Sequence, residues 1–99
     1  MSNLIDSTAV FTQRALGCGL SVAEKDATVA AGHSTLAKFA FSCNYAPGAP
    51  DETQFTQMVQ RVLGLGVNPV DPAVLGCFRR LFFEAYTLSA ANLLSLIHI

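Results

Sequence analysis

The side chains able to do chemistry are few: seven Asp or Glu, six Lys or Arg, two His and three Cys in 99 residues. A carboxylate pair that does general acid–base work must be brought together with separated pKa values. Asp6, Glu24, Asp51 and Asp71 instead stand where helices begin and where free backbone N–H groups need an acceptor. Asp26 and Glu52 fall in first turns, where the helix dipole favours an anion. Only Glu84 is left over, with Arg80 four residues before it, so no catalytic pair is expected. A metal centre would want closely spaced ligands, whereas Cys18, His33, Cys43 and Cys77 are isolated. Gly64-Leu65-Gly66 is a bare G-x-G that follows a helical pattern rather than a strand, so it does not suit a dinucleotide. No metal, cofactor or small-molecule ligand is expected.

Two weaker chemistries remain as alternatives. A thiol nucleophile centred on Cys43 or Cys18 would need a base to activate it, and nothing in the spacing supplies one. His33 lies between two helical stretches and reads as a packing or turn residue. Of the basic residues Arg14, Lys25, Lys38, Arg61, Arg79 and Arg80, only Arg79-Arg80 are adjacent. Without a basic stripe they read as a solvated helix flank rather than a phosphate contact.

The elements that would position these groups all read as helices. A first helix is expected from Asp6 or Ser7 to Leu16, with Gly17 and Gly19 as stops. Ser21 and Glu24 form an S-x-x-E capping box for a second, which ends at Gly32. Polar Lys25-Asp26-Ala27-Thr28 predicts that this helix is weak. Ser34 or Thr35 caps a third, with Leu36, Phe39 and Ala40 on one face. Pro47, Gly48 and Pro50 break the pattern, and Asp51 is expected to cap a fourth. In it, Phe55, Met58, Val59, Val62 and Leu63 share a face. Asp71 and Pro72 open the last helix, whose stripe is Val74, Phe78, Leu81, Phe82, Ala85 and Leu88. No stretch alternates with period two. The expected fold is all-α, a single domain over residues 1–93 of about five helices, with the fourth, the fifth and Leu36/Phe39 forming the core.

Composition narrows the class. The chain is 52% hydrophobic and 13% charged, about half the usual charged share, with a net charge of -1. That excludes a disordered chain and gives no global field to draw phosphate or an anionic membrane. "MSNLIDSTAV" lacks a basic n-region and an apolar run, so it is not read as a secretory signal, and no stretch is long enough to span a bilayer. Three dispersed cysteines read as reduced thiols, which implies an intracellular setting, cytoplasmic or nuclear.

"LSLIHI" (residues 94–99) resembles the in-frame translation of a transposon-end sequencing adaptor. The resemblance implies that these six residues are non-native and that the native chain continues beyond Leu93, leaving the last helix truncated. "CGLSVAEKDATVAAGHSTLAKFAF" (residues 18–41) resembles the opening of the helix-hairpin-helix-like N-terminal domain of RecA-type recombinases. That domain meets nucleic acid through backbone N–H groups of a second Gly-apolar-Gly hairpin, which has no counterpart after Phe41. "AGHSTLAKFAF", "YAPGAPDE", "VLG" and "RRLFFEAYTLSAANL" together resemble a helical segment that recurs in dinoflagellate proteins. This likeness spans residues 10–93 and implies a helical module of a longer protein; it brings no activity with it.

The leading expectation is therefore a non-enzymatic interaction module of a larger intracellular protein. Phe83 and Tyr86 lie off the main stripe of the last helix and are the candidate partner-facing residues. The partner would be a further part of its own chain or another protein, with no membrane involved. The rival is a nucleic-acid-binding module that uses Gly32, His33, Ser34, Thr35, Arg79 and Arg80.

Overall fold

The computed structural model describes Leu4 to Ile97, with side chains described as far as Leu93. A short 3-10 turn (Leu4–Asp6) leads into α1 (Thr8–Gly17), α2 (Val22–Ala30), α3 (Leu36–Ala40), α4 (Thr53–Leu63) and α5 (Pro72–Ile97). The fold is all-α, with five helices and no strand among the described residues. None of these helices is long and apolar enough to cross a membrane. Of the tail read as non-native, residues 94–97 continue the α5 backbone, and His98 and Ile99 lie outside the described residues.

Local chemistry sets the helix ends. Ser7 accepts from the Val10 N–H at 3.2 Å, so it caps α1, while Asp6 belongs to the preceding turn. The capping box forms in full: Ser21 Oγ accepts from Glu24 N at 3.1 Å, and Glu24 Oε1 accepts from Ser21 N at 2.8 Å. Residues 25–28 lie inside α2, which is helical throughout Val22–Ala30. Thr28 is buried and its hydroxyl donates to the Glu24 carbonyl at 2.8 Å, so its polarity is met inside the helix. Thr35, not Ser34, caps α3 by accepting from Lys38 N at 3.2 Å. Asp51 stands one residue earlier than expected. Glu52 occupies the N-cap of α4 with no side-chain capping bond, and Asp51 Oδ1 accepts from Thr53 N at 2.9 Å instead. Asp71 accepts from Ala73 N at 2.9 Å, as an N-cap ahead of Pro72 should.

α5 holds the assembly together. Its 26 residues span about 39 Å at a rise of about 1.5 Å each, close to the longest dimension of 45 Å. Phe78, Leu81, Phe82 and Ala85 are buried along one face. Phe82 sits among rings, with centroids 5.5 Å from Phe39, 5.2 Å from Phe55 and 5.6 Å from Tyr45. Phe11 reaches Phe39 edge-on at 5.7 Å, so α1 joins the core alongside the helices expected there. Ile5 is also buried, in a turn that hydropathy patterning does not mark. Ser89 continues the inner face, wholly buried, and its hydroxyl has no hydrogen-bond partner among the described residues.

Candidate functional site

Two clusters flank α5, one on each side of its buried face. Both involve carboxylates that the sequence assigns to capping or leaves over.

On the first side, Glu52 receives two parallel hydrogen bonds from Arg79, Nε to Oε2 and Nη2 to Oε1, each 2.9 Å. Tyr45 donates its hydroxyl to the same Oε2 at 3.0 Å. This planar fork ties the N-cap of α4 to α5. The hydrogen bonds from Arg79, above all, hold the Glu52 carboxyl below the ordinary carboxylate range. Burial, then Glu52, pushes the Tyr45 phenol up. Beyond the fork lies a hollow of about 210 Å³ bounded by Phe41, Cys43, Asn44, Tyr45 and Tyr86, with Ala40 and Ala46.

On the other side, Glu84 is shared. Arg14 approaches it at 3.5 Å and Arg80 at 3.6 Å, while the Cys18 thiol donates to Oε2 at 3.6 Å. These are long contacts, and no one of them fixes the carboxylate. The α1–α5 approach that allows them depends on Gly19. It has φ +104°, and a Cβ there would lie 2.9 Å from Cys77 Sγ. Arg14, Phe83, Glu84, Thr87 and Leu88 line an open groove of about 230 Å³.

The expected partner-facing residues fall beside these two hollows. Phe83 is 58% exposed at the α1–α5 groove. Tyr86 is half-buried, stacked on Phe82 at 6.4 Å and edge-on to Phe41 at 6.0 Å. Phe41, which the sequence analysis gives no role, is 53% exposed. Exposure of a large aromatic was the missing signal, and periodicity in a five-residue helix cannot supply it.

The residues expected to meet nucleic acid are differently occupied. Gly32 N donates to the Val29 carbonyl at 3.0 Å and His33 N to the Thr28 carbonyl at 3.2 Å. This is the Schellman pairing that closes α2, with Gly32 at φ +98°. Both turn amides are thus already used. Ser34 is half-buried, and Thr35 is spent on its cap. His33 is half-buried beside Phe39, and burial, then Arg61, lowers its pKa. Arg79 belongs to Glu52, and Arg80 leans on Glu84.

Cys18 and Cys43, the thiols considered as nucleophiles, both titrate above the ordinary thiol value. Burial, then the Glu84 carboxylate, pushes Cys18 up to about 11, and burial raises Cys43. A thiol that far above neutral pH is almost wholly protonated and is a poor nucleophile. Among the described residues no group of three or more His, Cys, Asp or Glu is placed to hold a metal ion.

The fold and its surface define a small all-α bundle with two shallow hollows along its longest helix. No family model, curated protein or solved structure matches the chain.

Proposed function

We propose that this chain is a non-enzymatic, protein-binding helical module, whose binding surface is the outer side of α5. One observation carries the reading. Phe83, beside the wholly enclosed Phe82, is 58% exposed at the rim of a groove, and no charged residue follows Glu84 along the helix as far as Leu93. An exposed aromatic at a groove flanked by an arginine is the composition that interface centres favour. The loosely held Arg14–Glu84–Arg80 set suits a rim, since its contacts can be exchanged for a partner's at little loss.

A photo-activatable phenylalanine analogue at position 83 tests this in the cells that make the protein. One discrete protein adduct is expected from position 83 and none from the same analogue at exposed Asp26. Equal adducts from both positions, or none from either, overturns the reading.

The nucleic-acid reading has less support, because the turn amides and Arg79 are engaged within the chain. Oligonucleotide retention at low salt, fading steeply as salt rises, would revive it. The thiol-enzyme reading requires rapid alkylation near neutral pH, whereas slow labelling is expected for Cys18 from its raised pKa.

A further inference from the structure

The hollow beside Tyr86 has a chemistry of its own. Phe41, Tyr45 and Tyr86 give it three aromatic sides, and no charged side chain lines it. Tyr45 and Tyr86 both contact Phe82 and are held apart by it, while Phe41 meets Tyr86 edge-on, so the rings form a broken ladder. Tyr45 has given its hydroxyl to Glu52. Asn44 is exposed, and among the described residues neither its amide nor the Tyr86 hydroxyl has a hydrogen bond. The site thus combines apolar aromatic surface with two unengaged donors.

Three candidate ligands can be separated on physical grounds. A compact small molecule wants a cavity of roughly 300–1,000 Å³, and about 210 Å³ falls short. A methylated ammonium would suit aromatic faces. However, the nearby Glu52 carboxylate is neutralised by Arg79, and the exposed Arg61 guanidinium acts electrostatically on Cys43 in the wall. The surrounding charge therefore opposes a cation. An extended proline-rich segment fits all the features. Its rings pack on aromatic sides, and its backbone carbonyls, unpaired in a polyproline II helix, need donors such as Asn44 and Tyr86. Such a segment is neutral, so Arg61 does not repel it.

We infer that the hollow formed by Phe41, Tyr45, Tyr86 and Asn44 is a docking site for a proline-rich segment of a partner protein in the polyproline II conformation. This rests on the protein-binding reading and names a second contact within it, separate from the Phe83 groove.

The chain is well suited to a direct test. It has two tyrosines and no tryptophan, and both tyrosines line this hollow, so intrinsic tyrosine fluorescence reports on this site. Decaproline, which carries no chromophore, is titrated against the full chain, with a Gly-Ser peptide of equal length as control. A saturable change with decaproline alone is expected. Phe41→Ala should weaken it by about tenfold, and Asn44→Ala by about fivefold, the worth of one hydrogen bond of about 1 kcal/mol. Both side chains are exposed, so these variants should keep the fold, which far-ultraviolet circular dichroism checks. Arg61→Gln should leave decaproline binding within about twofold, since the Arg61 charge does not act on a neutral peptide.

No saturable change, or a change unaltered by Phe41→Ala, overturns the inference. So does a response to tetramethylammonium without one to decaproline, which would mark the site as a cation cage. If position 83 still yields its adduct, such a failure sinks this site alone; loss of both removes the protein-binding reading as well.

Discussion

The inner and outer faces of α5 place two consecutive phenylalanines in opposite environments. Phe82 is 1% exposed and touches rings from α3, α4, α5 itself and the 41–46 segment, whereas Phe83 is 58% exposed over an open groove. Successive residues on a helix point about 100° apart, so a single step carries an aromatic from the packed side to the wet one. The flanking carboxylates repeat the contrast. Glu52 is held by two bonds of 2.9 Å and closes a loop, while Glu84 is shared among contacts of 3.5 and 3.6 Å. The side of α5 that faces the start of α4 is thus held by short, paired hydrogen bonds, and the α1 side by longer contacts.

The contrast between the faces breaks if the two phenylalanines prove equivalent in solution. Phe82→Ala should lower the unfolding free energy by about 3–5 kcal/mol, the range for emptying a packed aromatic site. Urea denaturation measures it, and a loss below about 1 kcal/mol would mean that the ring cluster is not the core.

Ser89→Ala should move stability the other way. The hydroxyl is buried and unpaired among the described residues, so removing it should leave the protein unchanged or up to about 1 kcal/mol more stable. A clear destabilisation would reveal a bond to Ser89 and would extend the polar character of the inner face.

Glu52→Gln removes the clamped carboxylate's charge. Because Glu52 and Arg79 are both substantially solvent-exposed, the pair is screened, and its removal should destabilise by less than about 1 kcal/mol. Its pH signature is more diagnostic. The folded pKa lies below the ordinary glutamate value. The stabilisation is therefore present above the unfolded pKa and is lost as pH falls through the folded one. In acid denaturation the wild type should lose stability in that range more steeply than Glu52→Gln, and parallel profiles would show that the Arg79 fork does not form in solution.

The smallest effect is expected at Phe83. Phe83→Ala should shift stability by no more than about 0.5 kcal/mol, as for a surface side chain, while abolishing any partner contact centred there. A loss comparable to that of Phe82→Ala would erase the distinction between the faces.

Much of the scaffold was legible because its causes are local. The Ser21–Glu24 capping box, the Gly32 stop and the Asp71-Pro72 start each need only a few neighbouring residues. The α4 stripe and the α5 stripe follow from helical period alone. The sites were less legible. Tyr86 and Phe83 could be marked as off-stripe, yet nothing near Tyr86 announces that Phe41 and Tyr45 lie beside it. Glu52 looked like a first-turn anion because its real partner, Arg79, is 27 residues away. Glu84 looked idle because Arg14 is 70 residues away.

Residue order alone thus decided where helices start and stop and which faces they bury, since capping and periodicity act within one or two turns. Tertiary packing decided which carboxylate would be clamped and which shared, which thiol pKa values burial would raise, and which three rings would surround one hollow. Those outcomes depend on distances between segments far apart in the chain, and such distances exist only once α5 has gathered α1, α3 and α4 along its length.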